Sequence, residues 1–184
     1  MIASPDPRYI SPEDYLAGEK QSSVRYEYRN GEVYAMSGGS DAHETIAPNL
    51  LVALKTKLQG SGCRVYISGM KVQIESKNCF YYPDVMVTCD ERDRTPEGIK
   101  YFPKLIVEVL SPSTEKFDRT LKFSDYRAIE TLEEYVVVSQ DRQCVEVYRQ
   151  GDREWSQQTY DAGEVSFESL GIGVAIADIY DDVL

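Results

Sequence analysis

The chain is poor in the residues that announce the common cofactor chemistries. It carries one histidine and four cysteines in 184 residues. Cys63, Cys79, Cys89 and Cys144 form no C-x-x-C pair, so the spacing excludes a zinc knuckle or ribbon. They read instead as buried free thiols in a reducing compartment. No apolar run approaches the roughly 18 residues that a membrane span needs. The first residues, Met1-Ile2-Ala3-Ser4-Pro5-Asp6, lack the basic stretch and apolar block of a signal peptide. A cytoplasmic protein, without membrane attachment, is the expectation. Neither G-x-x-x-x-G-K-[ST] nor G-x-G-x-x-G occurs, which disfavours a P-loop and a dinucleotide fold.

Cations are also scarce. Twenty Lys and Arg face 31 Asp and Glu, for a net charge of −11. That weighs against a nonspecific nucleic-acid coat, which draws on Lys and Arg. It does not exclude a nucleic-acid enzyme, because carboxylates that bind metal ions are neutralised in the working site.

What is present is enough for a core: 42% of the residues are hydrophobic. The length and the absence of a linker or repeat predict one domain over residues 1–184, with 1–10 as a flexible N-terminal extension. Ser11-Pro12-Glu13-Asp14 starts a short helix running to about Ala17. Asn30-Gly31 joins two strand-like runs, Val24–Arg29 and Glu32–Met36, into a hairpin. After the turn Ser37-Gly38-Gly39-Ser40, apolar residues from Ile46 to Leu58 recur at helical spacing. Pro48 must lie in the first turn of that helix or kink it. Strands are expected at 64–68, 70–75, 82–88 and 105–110, with 90–103 a surface loop. A helix from Ser113 or Thr114 to about Ile129 precedes strands at 134–139, 144–150 and 155–160. Leu105–Leu110, apolar on both faces apart from one carboxylate, belongs in the middle of a sheet.

Two residues break these local patterns. Asp84 opens the apolar run Val85-Met86-Val87, and Glu108 sits inside the most hydrophobic stretch of the chain. A carboxylate buried alone costs several kcal/mol, on the order of what a metal or cation must return. The bland alternatives are a Pro-Asp turn for Asp84 and an arginine partner for Glu108. Taken as a pair on neighbouring strands, the two carboxylates suit one Mg²⁺ or Mn²⁺, with water and a backbone carbonyl (that of Val109) completing the oxygen shell. Thr114, Asp118, Lys122 and Tyr126 then follow at intervals of four, on one face of the next helix. Lys122 is placed to point into the site, where its ammonium can orient a nucleophile or balance phosphate charge. A solvated Asp–Lys stripe is the plainer reading.

The blocks Y-P-D-V-M-V and L-I-V-E-V-L-S-P-S-T, in that order, resemble the PD-(D/E)XK nuclease superfamily. The further blocks Y-E-Y-R-N-G-E-V-Y-A-M and E-E-Y-V-V-V-S, with His43 between, bring the resemblance closest to its Uma-type restriction endonuclease family. The resemblance implies an α+β, restriction-endonuclease-like core: a mixed central β-sheet flanked by helices, here with extra antiparallel strands. It implies Asp84 and Glu108 as metal ligands, and Mg²⁺- or Mn²⁺-dependent hydrolysis of DNA. The superfamily's lysine stands two residues after the glutamate, a position that is Leu110 here. In the Uma-type family it sits on the following helix, in D-x-x-x-K-x-x-x-Y, which makes Lys122 the matching residue and Lys116 the alternative. An N-terminal acid often joins the site. Glu27 and Glu32, on the two arms of the hairpin, are the candidates, and Glu27 matches the family better. His43 could touch a phosphate or orient a water, or could equally be a polar surface residue.

Ser111, Ser113 and Thr114 have no recognisable base, so a hydroxyl nucleophile is disfavoured. The competing class is a nuclease-fold module acting through protein contacts, which the acidity and the 14 tyrosines suit. Dependence of stability on a metal held by Asp84 and Glu108 separates the two. A homodimer is expected if both strands of a duplex are cut, since two-fold symmetry supplies two sites.

Overall fold

A computed structural model describes residues 9–36 and 38–183. Of the expected flexible extension, residues 1–8 lie outside the described residues. Ile10 is held: its N–H donates to the Gly31 carbonyl and its own carbonyl accepts from the Tyr28 hydroxyl, both at 3.0 Å.

Helix α1 (Pro12–Glu19) starts where Ser11 accepts from the Asp14 N–H and proline takes the first turn. Strands β1 (Tyr26–Arg29) and β2 (Glu32–Ala35) are joined by Asn30 and Gly31, both at positive φ (49° and 94°), as a two-residue hairpin turn requires. Helix α2 (Asp41–Lys57) begins upstream of its first buried apolar residue, because the Ser40 hydroxyl caps it at the His43 N–H. Pro48 therefore falls in the helix interior, not the first turn. Lacking an N–H, it leaves the Glu44 carbonyl without its helical donor.

Strands β3 (Arg64–Ile67), β4 (Lys71–Ile74), β5 (Cys79–Tyr81) and β6 (Val85–Thr88) follow, then β7 (Ile99–Lys100) and β8 (Leu105–Val109). Helix α3 (Glu115–Phe117), a π turn over Asp118–Lys122 and α4 (Phe123–Tyr126) run on from one another. The helix expected to reach Ile129 is thus shorter and contains an i→i+5 turn. Strands β9 (Glu134–Val138), β10 (Val145–Gln150) and β11 (Trp155–Tyr160) come next, then β12 (Glu164–Phe167), β13 (Ile172–Ala175) and helix α5 (Ile176–Ile179).

The main sheet has the order β11-β10-β9-β8-β6-β3, and the β8–β9 pair is parallel within an otherwise antiparallel sheet. A second sheet, β2-β1-β5-β4-β7, carries the hairpin at one edge. β12 and β13 pair with each other. This is the mixed α+β architecture expected. All five residues of β8 are buried, as a central strand demands. Leu105, Val107 and Val109 enter one core with α2 and α5. Ile106, with Leu110 just beyond the strand, enters a second core with Met86, Tyr126 and residues of the second sheet. Period-two alternation explains the split. Glu108 falls on the second face.

Two expectations are corrected. Residues 90–103 are not simply a surface loop. Asp93 and Lys100 within it are both about 1% exposed. The Asp93 carboxylate accepts from the Thr88 hydroxyl and the N–H groups of Tyr101 and Phe102, and the Lys100 ammonium donates to the carbonyls of Asp93, Thr95 and Glu97. The chain's own backbone supplies the partners that let a charged residue be buried. The cysteines are not all free thiols either. Cys63 and Cys89 form a disulfide, while Cys79 and Cys144 are free. The reason is register: β3 and β6 pair antiparallel with Arg64 opposite Thr88, so the next residues outward, Cys63 and Cys89, face each other. Spacing along the chain did not reveal a pairing made across strands.

Candidate functional site

The β6–β8 register sets Val85 opposite Val107. Continued by one residue, it brings Asp84 beside Glu108. Asp84 shares its face with Met86, and Glu108 shares its own with Ile106. Both therefore leave the sheet toward the helical segment 115–126. They line a cleft of about 1040 Å³ together with Glu27, His43, Val109 and Lys122. All the residues that sequence reasoning favoured stand in this one cleft. Those it held as alternatives do not: Lys116 and Glu32 are exposed and outside the lining.

Each side chain is fixed by specific partners. Asp84 Oδ2 accepts from the Val109 N–H at 2.7 Å and lies 3.1 Å from His43 Nε2. Ser68 N–H donates to the Asp84 carbonyl at 3.1 Å, which ties the residue to the end of β3. Glu108 Oε1 meets the Lys122 ammonium and accepts from the Tyr126 hydroxyl, each at 2.9 Å. Lys122 Nζ also lies 3.0 Å from Glu27 Oε1 and 3.7 Å from Asp118 Oδ1. Glu27 Oε1 accepts in turn from the Tyr82 N–H at 3.0 Å.

Asp118 and Tyr126 are the members that sequence reasoning named through the four-residue spacing and the D-x-x-x-K-x-x-x-Y pattern, without giving them a role. That spacing was the available signal. Its structural basis includes something it does not encode, the π turn that carries both Asp118 and Lys122. π-Helical turns widen the helix and re-aim side chains, and they recur at functional sites.

Four carboxylates (Glu27, Asp84, Glu108, Asp118) surround one ammonium and one imidazole. Burial pushes the Glu108 carboxyl well up; Lys122 opposes this and Asp84, Asp118 and Glu27 add to it. Burial likewise raises Asp118, again against Lys122. Burial alone would discharge Lys122, but Glu108, Glu27, Asp118 and Asp84 outweigh it and hold the ammonium protonated. The hydrogen bond to Asp84 raises His43 despite its burial. The cluster is thus more acid than its own cations neutralise, the condition in which a further cation is attracted.

Among the described residues, no three His, Cys, Asp or Glu side chains stand close enough to hold a metal ion between them. Two carboxylates are what remain, and each is half committed. The contacts above engage Asp84 through Oδ2 and Glu108 through Oε1. A donor set of two carboxylate oxygens and water fits Mg²⁺, which keeps several waters and is commonly held by one or two carboxylates.

A family model described as "Putative restriction endonuclease", Uma2, matches residues 12–177. Among similar proteins, "Uncharacterized protein slr1290" of Synechocystis sp. is 37% identical, over 97% of this chain and 94% of that protein. A second from the same organism, "Uncharacterized protein sll1609", is 32% identical over 84% of this chain and 89% of its own length. A crystal structure of a "putative nuclease belonging to DUF820" from Anabaena variabilis superposes with a TM-score of 0.76. It covers 95% of this chain and 99% of that one at 17% identity, a likeness of fold.

Proposed function

Because the chain belongs to the Uma2 restriction endonuclease family, we propose that the cleft hydrolyses phosphodiester bonds of DNA with a divalent cation held by Asp84 and Glu108. The observation that carries this reading is that adjacent strands set Asp84 and Glu108 side by side, with Oδ2 and Oε1 engaged by their neighbours, which assigns Oδ1 and Oε2 to the cation. The Val109 carbonyl and water are the further oxygen donors. The chemistry that a bound Mg²⁺ or Mn²⁺ supplies is polarisation of the scissile phosphate and acidification of the attacking water.

The chain's own residues do the rest. His43 and the Val109 N–H hold Asp84 Oδ2, which fixes the direction of the other oxygen. Tyr126 and Lys122 do the same for Glu108. The Lys122 ammonium, kept charged by its carboxylates, stands where it can offset the charge that the phosphate gains as the bond to the nucleophile forms. Glu27 anchors Lys122 from the opposite side and couples the β1 arm of the hairpin to the cleft.

The test is a calorimetric Mn²⁺ titration run beside a plasmid-nicking assay. Lys122→Ala retains metal binding and loses nicking, because the ligands are carboxylates and the lysine supplies charge. Glu108→Gln weakens both. Lys116→Ala, on the exposed face, leaves both unchanged. A wild-type chain that binds Mn²⁺ and Mg²⁺ at neither carboxylate, and cuts no DNA, ends the proposal.

A further inference from the structure

The ammonium of Lys122 is not paired with one carboxylate but lodged among three, at 2.9 Å from Glu108, 3.0 Å from Glu27 and 3.7 Å from Asp118. Only 5% of the residue is exposed. Glu108 serves two neighbours at once: Oε1 faces the ammonium, and Oε2 is the oxygen assigned above to the cation. A carboxylate shared in this way is how two metal ions a few ångströms apart are held in two-metal hydrolases. From this geometry we infer that the Lys122 side chain occupies the second cation position, so that the site takes one divalent ion and not two. The inference rests on the metal reading above and adds the stoichiometry to it.

Three features support the assignment. The ammonium is a compact point charge with three donors, and three carboxylates surround it. It is delivered by the π turn Asp118–Lys122, and Asp118, one of the three acids, opens that same turn. The acids around it do not need a metal to be satisfied while the lysine is present. With the lysine in place, no three His, Cys, Asp or Glu side chains among the described residues form a metal-holding group. Without the lysine, mutual repulsion of Glu27, Glu108 and Asp118 makes a second cation the remaining partner.

The experiment is Mn²⁺ stoichiometry by calorimetry, with electron paramagnetic resonance to distinguish isolated from spin-coupled ions. Wild type is expected to bind one Mn²⁺ per chain with an isolated signal. Lys122→Ala is expected to bind two, spin-coupled, and Lys122→Ala combined with Glu27→Gln to return to one. If Lys122→Ala folds only when Mn²⁺ is added, the ion has replaced the ammonium and the inference stands. If it stays unfolded in Mn²⁺, or folds and binds one ion, the inference falls while the one-metal site of the wild type survives. Two ions in the wild type overturn it directly. No ion in the wild type removes the metal reading itself, and the inference with it.

Discussion

The Tyr126 hydroxyl donates to Glu108 Oε1 at 2.9 Å, and both residues are almost wholly buried. The contact joins the last helical residue after the π turn to the central strand. It also decides which oxygen of Glu108 remains for other work. Tyr126→Phe removes the donor and keeps the ring. Loss of one buried bond to a charged acceptor is expected to cost about 1.5–3 kcal/mol of stability. The sharper expectation concerns the cleft: Mn²⁺ affinity falls by about 10-fold, the lower end for loss of a group that orients a ligand. Calorimetry on the two proteins checks it. An unchanged affinity means that Lys122 alone suffices to hold Glu108.

His43 gives the parallel case on the other carboxylate. Its Nε2 lies 3.1 Å from Asp84 Oδ2, while its buried Nδ1 makes no hydrogen bond among the described residues and lies 3.7 Å from Glu44 Oε1. His43→Gln, which keeps an amide donor on a side chain of similar reach, is expected to retain most Mn²⁺ affinity, whereas His43→Ala loses about 10-fold. Equal loss in both variants would show that the imidazole acts through something other than this donor.

The Cys63–Cys89 disulfide pins β3 to β6 at the end away from Asp84. At the other end Ser68 N–H reaches the Asp84 carbonyl. β3 is an edge strand of the main sheet, held by these ties, by the ladder between them and by the packing of Val65 and Ile67 on the core. The crosslink spans 26 residues. A loop of that length corresponds to about 3.5 kcal/mol of chain-entropy stabilisation. Reduction with a phosphine is expected to lower the denaturation midpoint, and Cys63→Ser with Cys89→Ser to reproduce the loss. A midpoint indifferent to reductant contradicts the bridge.

Much of the site was legible because its residues violate local rules. Asp84 and Glu108 interrupt apolar strands, and burial made partners obligatory. Leu105–Leu110 read as a central strand for the same reason, since a run apolar on both faces has nowhere else to go. The four-residue spacing pointed to Lys122, yet the π turn was invisible: DRTLK carries no residue that forbids an ordinary α turn. The disulfide and the buried Asp93–Lys100 knot were missed because both depend on contacts between segments, which periodicity does not report. Which of Glu27 and Glu32 points inward was likewise not encoded in the chain's own pattern, and only the resemblance favoured Glu27. On the paired hairpin, Glu27 reaches Lys122 while Glu32 faces solvent beside Tyr34.

The remaining prediction separates acid sensitivity outside the cleft from that within it. Glu146 on β10 meets the Arg119 guanidinium through two bonds, Nη1 to Oε2 at 2.8 Å and Nη2 to Oε1 at 2.6 Å, and also accepts from Tyr148 and Gln157. The Arg119 contact holds its carboxyl below the usual glutamate value of 4.5. A carboxylate lowered in the folded state contributes stability that is complete above its unfolded value and is lost as pH falls through the lower folded value. Glu108 and Asp118 behave oppositely. Raised by burial, they favour the folded state on protonation, so the acid limb of the whole protein mixes both signs. The comparison of wild type with Glu146→Gln isolates one. At neutral pH the variant is expected to be less stable by about 1 kcal/mol, the range for a partly exposed ion pair of good geometry. That gap is expected to narrow below pH 4.5 and to close once the wild-type carboxyl is itself protonated. Urea denaturation at a series of pH values measures it. A gap that stays constant down to the acid end would mean that Glu146 stabilises the protein through packing and not through its charge.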